Sequence, residues 1–214
     1  MQKNTPLVSS INPVLIAYTS KLKENIREGF RTRECDYSVI MSLALSQYFK
    51  LNNFWCIAPE FALQENYHPD YLVSYINTNR NNNYGVLTYW LLAEIKNHGA
   101  ISWWNLMQNQ LWNQADAAKN AAGKFWVIGQ IGFEVCFFKF DVLNYPSHSD
   151  KYTNFEALNL NNLTTIDLDL LNAKYLTESN PGTSDIRVIK WRWDNPDHHV
   201  YIEAMFNHVS SNAA

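Results

Sequence analysis

Two carboxylates and one ammonium stand at positions where they could work together. Asp70, after Pro69, opens the apolar run Tyr71-Leu72-Val73-Ser74-Tyr75-Ile76, and Glu94-Ile95-Lys96 closes the β-rich run from Tyr84 to Ala93. Between them, Asn77 to Asn83 is asparagine-rich and suits a turn, because Asn tolerates left-handed backbone angles. Two strands about such a turn make an antiparallel hairpin. A turn centred near Asn82 is equidistant from positions 70 and 94. Asp70 is therefore expected opposite Glu94, with Cβ atoms about 4.5–5.5 Å apart. Carboxylates that close raise each other's proton affinity unless a cation lies between them. Glu94 and Lys96 are two apart on a strand and project to the same side, while Ile95 points the other way, toward a core. A carboxylate pair plus an ammonium on one surface is what a divalent metal and an activated water require.

These residues must be positioned by the elements around them. Asn12-Pro13 signals a helix start, Asn as cap and Pro at the first helical position. Leu15, Tyr18, Leu22, Ile26 and Phe30 follow at helical spacing, and Gly29 marks the end. A second helix is expected from about Arg33 to Lys50, with Tyr37, Ile40, Met41, Ala44 and Tyr48 as its apolar stripe. Glu34 falls on that inward stripe near the helix start; it either serves the site or is an acid favoured there by the helix dipole. Phe54 to Leu63 is a strand candidate with Glu60 near its end. A third helix is expected from Ser102 to about Ala121, with Trp103, Met107, Gln110, Leu111, Gln114 and Ala118 inward. Phe125–Gly129 and Phe133–Phe140 read as two further strands.

Pro69-Asp70 followed by Glu94-Ile95-Lys96 resembles the signature of the PD-(D/E)xK phosphodiesterase superfamily, the restriction-endonuclease-like nucleases. The resemblance covers about residues 33–141. It implies an α/β fold with an α-β-β-β-α-β-β core around a central mixed sheet flanked by helices. It also implies that Asp70, Glu94 and the Ile95 carbonyl hold Mg²⁺ or Mn²⁺, and that Lys96 orients the attacking water. Glu34 and Gln110 would be supporting catalytic groups, with Gln114 the second choice on the same helix, and Glu60 either a further ligand of the metal or its waters or a solvent-facing acid at the strand end. Hydrolysis would leave a 5′-phosphate. Many relatives act as dimers, so a homodimer is the assembly the resemblance suggests.

The chain of 214 residues suits a single nuclease-like domain, with a core at about 33–141 and an extension over 142–214. In that extension, residues 144–185 are polar and Asn-rich, and Ile186–Trp193 with His199–Phe206 around Asp194-Asn195-Pro196-Asp197 reads as a C-terminal β-hairpin. Its Arg187, Lys190 and Arg192, interleaved with Trp191 and Trp193, could stack bases or hold a nucleic-acid backbone, or the tryptophans could pack on the body.

Cys35, Cys56 and Cys136 are widely spaced and odd in number, and are expected to be free, mostly buried thiols rather than a disulfide or zinc framework. With no apolar run of membrane-spanning length and no signal layout, an intracellular protein, cytoplasmic or nuclear, is expected. The net charge is −3, against a tight nonspecific grip on DNA. Yet residues 1–50 hold seven Lys/Arg against four acids. A phosphate-binding surface should therefore draw on the N-terminal helices: Arg31 and Arg33 are candidate nucleic-acid contacts, with His98 and Gln114.

The reading is a metal-dependent nuclease acting on nucleic acid, DNA ahead of RNA. The alternative is a catalytically inactive nuclease-fold module that binds nucleic acid or a protein. A third possibility, an unrelated interaction protein with Glu94-Ile95-Lys96 on an exposed strand edge, requires Asp70 and Glu94 to face different directions.

Overall fold

The computed structural model describes residues 10–50, 54–63, 67–77, 86–101, 103–106, 110–111, 113–115, 117–118, 124–141, 155–157, 176–177 and 188–211. The asparagine-rich turn before residue 86, and Asp116, Lys119, Asp167, Asp169 and Arg187, lie outside them. The chain is α/β. Helices α1 (Pro13–Arg27) and α2 (Glu34–Tyr48) precede strands β1 (Trp55–Pro59), β2 (Tyr71–Asn77) and β3 (Val86–Lys96). A short helix α3 (Trp103–Leu106) and helical residues among 110–118 lead to β4 (Lys124–Ile131) and β5 (Glu134–Asp141). Short strands β6 (Phe155–Ala157), β7 (Leu176–Thr177), β8 (Val188–Ile189) and β9 (Trp191–Arg192) follow, and helix α4 (Pro196–Ser211) comes last.

The open sheet is mixed, in the order β1-β2-β3-β4-β5-β6, and β9 also pairs with β5. β3 runs antiparallel to β2 and parallel to β4, so the site strand is central rather than an edge. The parallel step needs a crossover, which α3 and the helical residues after it supply. Alternation along the strands divides the apolar side chains between two faces. Val73, Leu91, Ala93, Ile95, Trp126, Ile128, Val135 and Phe137 pack with α1, α2 and α4. Leu72, Leu92, Phe125, Val127, Ile131, Cys136 and Phe138 pack with the crossover through Trp103, Leu106, Leu111, Ala115 and Ala118.

Local signals account for the two N-terminal helices. The Asn12 side chain accepts from the Val14 amide at 2.9 Å, and Pro13 occupies the first turn of α1. In α2, Tyr37, Ile40, Met41, Ala44 and Leu45 are buried.

The C-terminal hairpin expected over 186–206 is not formed. His199–Phe206 lies within α4, and the strand before it, β9, pairs with β5 instead. Asp194-Asn195-Pro196-Asp197, read as a hairpin turn, is a helix start: the Asn195 side chain accepts from the Asp197 amide at 3.1 Å. Val200, Tyr201 and Ile202 favour strands, but Ile202, Met205, Phe206 and Val209 bury one helical face against the sheet. Trp191 and Trp193 are fully buried, so they pack on the body and are not free to stack bases. Lys190 and Arg192 pair with Glu134 at 3.4 and 3.5 Å, and Arg192 also bonds Asp194 at 2.9 Å. The cysteines are free, but only Cys136 is fully buried; Cys35 is exposed and Cys56 half-buried.

Candidate active site

The geometry rests on the register of β2 and β3. Tyr71 pairs with Ala93, Leu72 with Leu92 and Val73 with Leu91, after which the register shifts and Ser74 pairs with Tyr89. Trp90 is the extra residue, a β-bulge. Its indole Nε1 donates to the Val209 carbonyl of α4 at 2.7 Å. The bulge matters for chemistry. The pairing on its far side, Asn77 with Val86, would bring Asp70 opposite Ala93 if it continued unbroken. The shift restores the frame in which Asp70, one residue before Tyr71, comes opposite Glu94, one residue after Ala93.

Asp70 Oδ2 accepts from the Ile95 amide at 2.6 Å. Pro69 is buried and Asp70 is half-buried at the start of β2. Glu94, 5% exposed, is held through both oxygens: Lys96 Nζ lies 2.6 Å from Oε1, and Gln114 Nε2 donates to Oε2 at 2.7 Å. Glu34, the first residue of α2, approaches Lys96 with its Oε1 3.6 Å from Nζ. Glu94 and Glu34 therefore both reach the Lys96 ammonium, and Asp70 acts on it through its charge.

Burial pushes the Asp70 carboxyl up to about 7; the Glu94 charge adds to this, while the Ile95 hydrogen bond and Lys96 oppose it. Burial works against the charge on Lys96, but its hydrogen bond to Glu94 and the charges of Glu94, Asp70 and Glu34 outweigh it, so its proton affinity is raised. Lys96 is thus a fixed cation at neutral pH rather than a base.

Residues further along the chain seal this arrangement. Gly129 lies beside Glu94 in the β3–β4 pairing. A Cβ there would come within 3.0 Å of Leu111 Cδ1 and Trp103 Cζ3, so its missing side chain lets the crossover close over the strand and bring Gln114 to Glu94. The turn after β4 also holds the site strand: the Gly132 amide donates to the Lys96 carbonyl at 2.8 Å.

Of the two glutamines singled out on the crossover, Gln114 touches the site and Gln110 does not. Gln110 is half-buried, with a buried Oε1 that has no partner. Residues 110 and 111 belong to a wider helical turn. Glu60 lies just past β1 in a left-handed conformation, φ 48°, with its side chain exposed. Only its amide meets the site region, donating to the Asp70 carbonyl at 3.0 Å. His98 is exposed and stands over Gly132. Arg31 and Arg33 are exposed in the loop before α2.

Asn97 was missed by sequence reasoning and has a structural part. Its Nδ2 donates to the Thr32 carbonyl at 3.0 Å, and Thr32 Oγ1 lies 3.3 Å from its Oδ1. The residue after Lys96 thereby fastens the α1–α2 loop to the end of β3. Its place directly after the Glu94-Ile95-Lys96 run is the one signal that could have marked it.

The donor set suits a hard divalent cation. Among the described residues no three His, Cys, Asp or Glu side chains gather as a metal cage. Magnesium, however, is commonly bound by one or two carboxylates and keeps several waters. The raised Asp70 carboxyl beside Glu94 is the conflict that a bound cation removes. Among the described residues no helix is long and apolar enough to cross a membrane. No protein-family model matches the chain, and neither a curated protein nor a solved structure matches it.

Proposed function

We propose that this chain is a metal-dependent nuclease of the restriction-endonuclease-like kind, hydrolysing phosphodiester bonds in nucleic acid, DNA ahead of RNA. The observation that carries this reading is the convergence of Asp70, Glu94 and Lys96 at the abutting ends of β2 and β3, with Asp70 on the Ile95 amide at 2.6 Å and Lys96 on Glu94 at 2.6 Å. The element order from α2 to β5, with β4 parallel to β3, supports the α-β-β-β-α-β-β core that the same family implies.

Asp70, Glu94 and the Ile95 carbonyl would hold Mg²⁺ or Mn²⁺. Such an ion, when bound, lowers the pKa of a coordinated water and offsets charge on the phosphoryl oxygens. Lys96, kept protonated by its carboxylate neighbours, donates hydrogen bonds that orient the attacking water and meet negative charge as it builds on the phosphate. Glu34 holds the far side of that ammonium. Gln114 fixes the Glu94 carboxylate from the crossover, which leaves Glu94 little freedom to rotate. The water gives up a proton to solvent as its oxygen bonds to phosphorus and the bond to the 3′-oxygen breaks; that oxygen takes a proton from solvent, leaving a 3′-hydroxyl and a 5′-phosphate.

A second reading has one observation in its favour: both Glu94 oxygens already have partners, Lys96 and Gln114. A noncatalytic module that binds nucleic acid or protein could keep this closed trio for stability alone. Cleavage assays on single- and double-stranded DNA and RNA with Mg²⁺, Mn²⁺ or EDTA separate the two. The nuclease cuts only with metal, Asp70→Ala abolishes cutting, and Lys96→Ala lowers it at least about 10²-fold. Titration calorimetry showing no Mn²⁺ binding that depends on Asp70 would remove the metal site and leave the binding module.

A further inference from the structure

α1 ends in a built cap that places an aromatic side chain in solvent. Gly29, at φ 87°, donates its amide to the Ile26 carbonyl at 3.1 Å, and the Phe30 amide donates to the Asn25 carbonyl at 3.0 Å. This pair of bonds is the Schellman motif, in which the residue after the glycine usually makes a hydrophobic contact back onto the last turn. Here that turn offers Glu24 and Asn25 instead of apolar residues, and Phe30 is left 63% exposed. The ring stands on a hydrogen-bonded turn rather than on a loose loop, yet nothing in the fold needs its exposure.

Phe30 forms part of the wall of a cavity of about 310 Å³, with Tyr18, Asn25, Arg31, Arg33 and Asp36. That volume is at the lower end of small-molecule sites, ~300–1,000 Å³. Two aromatic faces, an amide, a carboxylate and two guanidinium groups are the chemistry that takes a planar, hydrogen-bonding base together with its phosphate. Lys21, also on the wall, is partly neutralised by Glu24 at 2.7 Å. The arginines are therefore the cations to consider.

The cavity also adjoins the candidate active site. Thr32 lines it, and Asn97 binds Thr32 directly after Lys96 in the chain. Arg33 lines it too, and Glu34 follows as the partner of Lys96. We infer that this cavity holds one unpaired nucleotide of the substrate, its base against Phe30 and its phosphate on Arg31 and Arg33, so that the enzyme acts on single-stranded or locally unpaired nucleic acid. The inference rests on the nuclease reading for what the strand is doing there. Stacking on an aromatic face accepts any base and is lost when the base stays paired within a duplex.

The test is fluorescence anisotropy of labelled oligothymidylate, and of a duplex of equal length, with the full chain in EDTA so that nothing is cut. The wild type should bind the single strand more tightly than the duplex. Phe30→Ala should weaken single-strand binding about tenfold, Phe30→Trp should retain it, and Arg31→Glu should weaken it as well, all with unchanged thermal unfolding because both side chains are exposed. Equal binding by Phe30→Ala and wild type, or no preference for the single strand, would overturn the inference. Phe30-dependent binding by a protein that cuts nothing with Mg²⁺ or Mn²⁺ would instead overturn the nuclease and leave the pocket standing.

Discussion

Asp70 sits in a conflict between burial and charge, and the conflict has a measurable sign. Its carboxyl is raised from 3.8 to about 7. In the unfolded chain it ionises near pH 4, whereas in the metal-free fold it holds its proton to about pH 7. Its contribution to stability is therefore complete below pH 4 and is lost as pH rises through about 7. Urea unfolding in EDTA should show the wild type losing stability between about pH 4 and pH 7, and Asp70→Asn should remove about 2–4 kcal/mol of that loss. An identical pH dependence in both proteins would mean that Asp70 is ionised and solvated. Lys96 tests the other half of the site. Lys96→Met should lower cleavage about 10²–10³-fold, as expected for losing one donor to developing charge, while Mn²⁺ binding by calorimetry persists. Gln114→Leu leaves the Glu94 carboxylate short of one buried donor and should cost about 1–3 kcal/mol in chemical unfolding.

Individual elements are tuned to bring these groups together. The bulge at Trp90 is paired with α4 through the indole bond to Val209, so the terminal helix supports the strand irregularity on which the Asp70–Glu94 pairing depends. Gly132 plays the matching part at the far end of β3. At φ 58° it adopts a left-handed turn conformation, and a Cβ there would come within 3.0 Å of His98 Cβ. Gly132→Ala should cost about 1–2 kcal/mol from backbone strain alone. It should also lower cleavage, because the Gly132 amide holds the Lys96 carbonyl. The activity loss should exceed the fraction unfolded, which unfolding curves recorded alongside the cleavage assay will show. In α4, Phe206 stacks on Tyr48 at 4.9 Å between centroids and meets Phe137 edge-on at 5.0 Å. Its truncation to Ala should be destabilising by about 3–5 kcal/mol.

At the scale of the molecule, the charges are distributed so that an acidic protein can still approach a polyanion. The net charge is −3, and the exposed residues Arg31 and Arg33 line the α1–α2 cavity. Lys190 and Arg192, by contrast, are taken up by Glu134 and Asp194. Binding should therefore involve few phosphate contacts and a shallow dependence on salt. Arg33→Ala should reduce the slope of log K against log salt by about 0.7, the single-strand value per phosphate contact. An unchanged slope would place the strand elsewhere.

The sequence by itself determined what is local. Glu94 and Lys96 share a side because strand periodicity is two, and Asn12-Pro13 opens α1 because both residues act within one turn. The inward stripe of α2 from Tyr37 to Ala44 follows from spacing alone, but Glu34, read as part of it, has a 44% exposed side chain and meets Lys96 from the helix start. Tertiary structure decided what depends on partners distant in the chain. The Trp90 bulge is invisible to a count outward from Asn82, yet it controls whether Asp70 meets Glu94 or Ala93. The choice of Gln114 over Gln110 rests on the room above Gly129, which lets the crossover bring Gln114 to Glu94. His199–Phe206 carries strand-favouring residues, and it is helical because the sheet needs that face covered and Asn195-Pro196 can start a helix. Propensity differences between helix and strand are fractions of a kcal/mol per residue, whereas burying Ile202, Met205, Phe206 and Val209 together contributes several. Where the two disagree, packing wins.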